Sequence, residues 1–322
     1  MPRFKTFTGA LLAAGALLAA AALAQGTGGW TVGTPMPSVR TEVAVAEVGG
    51  KIYVVGGFRG ERELEIYDPS TDRWSRGALI PRALHHAAAV GLNDKLYVMG
   101  GFVEGWTPTD EVHEYDPASD RWQRLAALPT TRGALAAAVL DGRIHAVGGI
   151  GWRGRNTPAH EVYDPAANRW TALAYVPTAR DHLAAAALDG RIYAVGGRID
   201  GNYSRNLSSN EAYDPATNRW EQRAPMPTAR SGIAAAVLEG RMFMFGGEAP
   251  AGTFNQVQAY DGRSIAAMRA AMAEASRVVL GGFELGTDVS ITRWPARYMD
   301  PRGTVMWERV TKLLPKQWRA TA

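Results

Sequence analysis

Four segments of this 322-residue chain place an arginine three residues after a proline: Pro37 and Arg40, Pro129 and Arg132, Pro177 and Arg180, Pro227 and Arg230. A fifth breaks the rule, with Leu84 three residues after Pro81 and the arginine displaced to Arg82. A planar guanidinium takes carboxylate or phosphate bidentately, so arginines gathered at one place favour an anionic ligand. The alternative is a structural arginine pairing with a neighbouring unit, and repetition itself favours it, since a structural role recurs in every unit of a repeated fold. Two residues beyond each of these positions stand Glu42, His86, Ala134, His182 and Gly232. This register is not repeated, which is what a specific site requires. His86 and His182, with His85 and Asp181 beside them, are the candidates for catalysis, since an imidazole near a carboxylate can act as acid, base or metal ligand. A purely hydrogen-bonded histidine is the plainer alternative. There is no HExxH, phosphate loop or GxSxG, and His113-Glu114 and His160-Glu161 read as strand positions. No metal site and no cofactor is assigned.

The elements that position these residues are repeated. The runs "GKIYVVGG", "DKLYVMGG", "GRIHAVGG", "GRIYAVGG" and "GRMFMFGG" end in the pairs Gly56-Gly57, Gly100-Gly101, Gly148-Gly149, Gly196-Gly197 and Gly246-Gly247. The intervals are 44, 48, 48 and 50 residues, a period of propellers or solenoids. "YDPSTDRW", "YDPASDRW", "YDPAANRW" and "YDPATNRW" follow in step and end at Trp74, Trp122, Trp170 and Trp220. Each unit predicts four strands. The first is alanine-rich and suits crowding at a central axis. A two-residue turn such as Asp141-Gly142 leads to an alternating second strand. A variable loop precedes a third strand ending in Asp-Pro, and the fourth begins at the tryptophan. The glycine pairs fit places where backbones approach closely. The tryptophans fit as rigid fillers between neighbouring sheets.

These motifs, from Trp30 to Tyr260, resemble the kelch repeat family. The resemblance implies an all-β fold, a kelch β-propeller of four-stranded blades, with five recognisable repeats and a sixth incomplete. It also implies a closing blade built from both chain ends, with "GWTVGTPMPSVR" as its outer strand. Residues 1–24 read as a signal peptide, with Arg3 and Lys5, a short apolar run and Ala22-Leu23-Ala24. Residues 25–261 are the propeller and 262–322 a non-kelch, short α-helical C-terminal tail. Within the tail, "RAAMAEASRVVLGGFELGTDVSITRWPARYMDPRGTVMWERV" resembles the C-terminal end of phage-type family A DNA polymerases, without the carboxylates that polymerisation requires. It reads as a chimera or frameshift, or as a helical cover for an open sheet edge.

The expected location is the periplasm or the extracellular space, with no membrane association beyond the cleaved signal peptide. The net charge of +4 is carried by the two ends, and the repeat body is net negative, so no nucleic-acid partner is expected. The loops after the glycine pairs hold Trp106, Trp152, Tyr203 and several arginines on one face, where binding groups concentrate. With Arg40, Arg82, Arg132, Arg180 and Arg230 they form the candidate ligand-binding set. The first reading is a binding or interaction protein for a glycan, an anionic small molecule or a protein. The second is a periplasmic sugar-modifying enzyme such as a sialic acid mutarotase, using His86, His182, Arg180 and Arg230. Copper galactose oxidase chemistry is rejected, because its tyrosine–cysteine cross-link needs a cysteine and the chain has none. A third reading is a truncated chimeric propeller without independent function.

Overall fold

The computed structural model describes residues 32–250, 252–254 and 256–261. The expected signal peptide, Trp30 and the expected helical tail lie outside the described residues. Each repeat folds into one antiparallel sheet, and five such blades form a propeller. Blade 1 runs Ala44–Val48, Lys51–Val55, Leu64–Asp68 and Arg73–Arg76 from the axis outward. Blade 2 is Ala88–Leu92, Lys95–Met99, Val112–Asp116 and Arg121–Arg124. Blade 3 is Ala136–Leu140, Arg143–Val147, His160–Asp164 and Arg169–Ala172. Blade 4 is Ala184–Leu188, Arg191–Val195, Asn210–Asp214 and Arg219–Gln222. The fifth blade has three described strands, Ala234–Leu238, Arg241–Phe245 and Val257–Tyr260. Two short 3-10 turns, Glu104–Trp106 and Trp152–Gly154, are the helical elements among the described residues.

Local chemistry sets each register. Asp141 and Gly142 both take positive φ (50° and 70°), the twist that a two-residue hairpin needs. That turn pairs Leu140 with Arg143 and Ala136 with Val147. Successive inner strands lie side by side around the axis, which their alanines permit. Gly148 and Gly149 seat blade 3 on blade 4. A Cβ on Gly148 would stand 2.7 Å from the Arg180 carbonyl, and the Gly149 amide donates to that same carbonyl at 2.9 Å. Gly57, Gly101 and Gly197 donate in the same way to Leu84, Arg132 and Arg230. Beside Gly246 no described residue of a further blade fills that place.

At the rim, each tryptophan ties its blade to the one before. The indole N–H groups of Trp122, Trp170 and Trp220 donate to the carbonyls of Ala78, Ala126 and Ala174, just beyond the preceding blade's fourth strand. The amides of those alanines donate to Asp120, Asn168 and Asn218, which also accept from Tyr115, Tyr163 and Tyr213. Thr34 plays the alanine's part for Trp74, Asp72 and Tyr67 of blade 1. No strand forms over residues 32–40, and the start of the expected outer strand lies outside the described residues. Between successive blades lie four apolar clusters; the second joins Val90, Tyr97 and Met99 of blade 2 to Ile144, Tyr163 and Trp170 of blade 3.

Candidate functional site

The unrepeated register becomes a spatial ring. Glu42, His86, Ala134, His182 and Gly232 each lie two residues before the start of an inner strand, and all five take left-handed backbone (φ 51–59°). The amide of His86 donates to the Glu42 carbonyl, Ala134 to His86, His182 to Ala134 and Gly232 to His182, at 2.8–3.1 Å. The residue before each ring member bridges to the residue after a glycine pair, as in His85 with Phe102 and Asp181 with Arg198. The variable loops are thereby drawn to the axis. Glu42, His86 and His182 line a cavity of about 500 Å³ together with Glu248 and Phe254.

Its polar groups form one network. His182 Nδ1 lies 2.5 Å from Asp181 Oδ1, and Arg198 reaches His182 Nε2 at 2.8 Å. Arg198 also pairs with Glu248 Oε2 at 2.7 Å and approaches Asp181 Oδ1 at 3.3 Å. The second Asp181 oxygen accepts from Asn156 and the Gly201 amide. Burial pushes the Asp181 carboxyl up, but the bonds from His182 and Asn156 outweigh it and hold the group below its ordinary value. His86 Nε2 stands 3.2 Å from Glu42 Oε2, and its Nδ1 stands 2.6 Å from His85 Nδ1. Burial, with His182 next, drives the His86 imidazole down to about 3, so it is neutral at pH 7. Burial also raises the Glu42 carboxyl, against the pull of His182. Glu42, His86 and His182 could together hold a metal ion. His182 backed by Asp181 is equipped for acid–base work.

The expected ring of anion-binding arginines is corrected. Arg132, Arg180 and Arg230 have no solvent exposure, and Arg40 is also buried. Each is turned into its own blade. Arg180 binds Glu211 Oε2 and the carbonyls of Thr178 and Ala194; Arg132 binds Glu161 Oε2 and the carbonyls of Thr130 and Ala146. Arg40 pairs with Glu65, and Arg230 is spent on the carbonyls of Met244, Gly246 and Gln256. Blade 2 explains its own exception. Leu84 replaces the arginine and His113, on the same strand position as Glu65, Glu161 and Glu211, replaces its glutamate. Arg82 is half-exposed and paired with Glu111 at 2.8 Å.

Trp106, Trp152 and Tyr203 stand in the loops after the glycine pairs, and none of them lines the axial cavity. Trp106 is 57% exposed, and its ring stands 4.8–5.8 Å from those of His85, His86, Phe102 and Phe58. Its φ of 60° is an outlier for so bulky a side chain. Trp152, 72% exposed, shares a cleft of about 410 Å³ with Trp106, Arg153 and Asp200. Tyr203 covers the Arg198 guanidinium at 4.0 Å. Sequence reasoning counted Arg198 only as one of several loop arginines and did not single out Glu248. Both stand directly after a glycine pair, where the other blades carry Phe58, Phe102 and Ile150. The same search for unrepeated positions, applied one register further on, finds them.

The KLHDC2/KLHL20/DRC7 Kelch-repeats domain model matches residues 42–247. The search of curated proteins returns no match. Among solved structures, one titled "Structure of YjhT" superposes with a TM-score of 0.67 at 16% identity, covering 74% of this chain and 87% of that one. At that identity the likeness speaks to fold alone.

Proposed function

Because the chain belongs to the kelch-repeat family and carries its binding scaffold, we propose that it is an exported binding protein for a neutral glycan, held on the loop-rich face. One observation carries the reading: the exposed Trp106 ring stands against His86 of an axial cavity lined by carboxylates and imidazoles, and Trp152 shares the adjoining cleft with Trp106. An apolar ring face stacks on an aromatic, while hydroxyls are met by acceptors and donors placed around it. The strain at Trp106 supports the same view, since held outliers cluster at ligand clamps. Charge argues against an anion. Glu42 and Glu248 line the cavity with no arginine among its described lining residues, and the nearby Arg198 guanidinium is already bonded to Asp181 and Glu248. Export rests on the basic start, short apolar run and Ala-Leu-Ala of residues 1–24.

A second reading, a sugar-modifying enzyme, is favoured by the Asp181–His182 pair. It lacks the Arg180 and Arg230 anion contacts that a sialic acid mutarotase would take, because both are buried in their blades. The test is tryptophan fluorescence during titration with neutral oligosaccharides. Saturable quenching is expected, weakened about tenfold or more in Trp106→Ala, as for the loss of an aromatic anchor. Turnover of a reducing sugar that disappears in His182→Ala would favour the enzyme instead.

A further inference from the structure

We propose that Glu42, His86 and His182 form a site for a divalent transition-metal ion on the axis of the propeller. The site lies in the cavity given to the glycan but does not depend on that reading.

The donor atoms of the three residues lie within 4.8 Å of one another, and His86 Nε2 is already 3.2 Å from Glu42 Oε2. A tetrahedral ion with bonds of about 2.0–2.2 Å keeps its donors roughly 3.4 Å apart. One pair thus has the spacing, and the third donor needs a side-chain movement on the order of 1 Å. Two imidazoles and one carboxylate suit zinc, cobalt or iron rather than magnesium or calcium, and three protein ligands leave a position open.

Three further observations point to the same place. Asp181 accepts from His182 Nδ1, which leaves the Nε2 lone pair facing the cavity in the carboxylate–imidazole–metal arrangement. His85 contacts His86 Nδ1 in the corresponding way and can fix its Nε2 as a donor to metal. All three ligands share the left-handed backbone of the ring, which Ala134 and Gly232 also adopt, so they occupy equivalent places in three blades around one axis. Arg198 now bonds the His182 Nε2 lone pair that the ion would use, and Asp181 and Glu248 can hold its guanidinium when it is displaced. Ion and guanidinium therefore compete, and this competition gives the test its sign.

The test titrates Co²⁺ into the chelator-treated full chain, read by visible absorption, with Zn²⁺ followed by calorimetry. The expected result is one ion per chain with the intense visible bands of four- or five-coordinate cobalt. Affinity falls at least tenfold in His182→Ala and in Glu42→Gln, and rises in Arg198→Gln. Circular dichroism shows whether each variant is folded. Absence of stoichiometric binding overturns the proposal, as does wild-type affinity in a folded His182→Ala. If that variant does not fold, Arg198→Gln decides, and affinity unchanged or lowered there overturns the site. Glycan binding without cobalt binding removes the metal site alone, and cobalt binding without glycan removes the glycan reading alone.

Discussion

A single side chain in this protein is read by whether its neighbours in the other blades share it. His145 and His160 illustrate a pair used for structure. Their Nδ1 and Nε2 atoms lie 2.9 Å apart inside blade 3, against the rings of Tyr213 and Trp220. Burial holds His145 near about 4, with Arg143 adding to it, and His160 near about 3, with His145 and Arg132 adding. In the unfolded chain both titrate near the ordinary imidazole value of 6.5. Below that pH the unfolded chain takes up protons that the fold refuses. Stability is therefore complete above about 6.5, falls as pH drops towards 3, and levels off below. Over that window the loss is roughly 3 kcal/mol for His145 and roughly 5 kcal/mol for His160. Urea denaturation at pH 7, 6, 5 and 4 measures the slope, which should flatten in His160→Gln. An unchanged slope would show that other groups carry the acid sensitivity.

At the scale of the element, the blade is held by an internal brace. A buried Arg–Glu pair joins the segment before the inner strand to the third strand in blades 1, 3 and 4. Removing one partner strands the other charge, although Thr178 and Gln222 also bond Glu211. Arg180→Ala should therefore cost about 3–5 kcal/mol. Blade 2 already shows the apolar solution, Leu84 with His113. The double substitution Arg180→Leu with Glu211→His should cost less than Arg180→Leu alone, as a double-mutant cycle in urea would show. Strict additivity would mean that the two side chains do not act as a unit. Blade architecture was legible because its signals are local and repeated: paired glycines, Asp-Gly turns, and the Tyr-Asp-Pro and tryptophan spacing. The arginine brace was not, because Pro-x-x-Arg fixes a position along the chain and says nothing about which way the guanidinium turns. Its partner, a glutamate about 30 residues on, becomes visible only when the register pairs Glu211 with Ala194 and Glu161 with Ala146.

For the whole molecule, the decisive feature is that the ring of backbone bonds runs from Glu42 to Gly232 through five blades. Interior blades have an apolar neighbour on both faces. Among the described residues the fifth has one only on its blade 4 side, where Met242 and Met244 are buried, while Leu238 is 63% exposed. Local stability follows buried apolar contact, so opening should be easiest there. In native-state hydrogen exchange, the amides of Arg241–Phe245 should exchange well before those of Arg143–Val147. Equal protection would show that the fifth blade is as firmly held as the third. The site has a similar dependence on the whole. Glu42, His86 and His182 are 44 and 96 residues apart in sequence and meet only because each occupies the same position in a different blade. Sequence reading reached the register but could not say that three of its members converge, which is a property of the ring.

The proposed neutral-glycan site on the loop-rich face depends on Trp106 and Trp152. The most direct measurement is a glycan array probed with the full chain and with Trp106→Ala/Trp152→Ala. Signal on neutral glycans is expected for the unmodified protein, and its loss in the double variant. Signal confined to anionic glycans, or signal that survives removal of both tryptophans, would contradict the proposal.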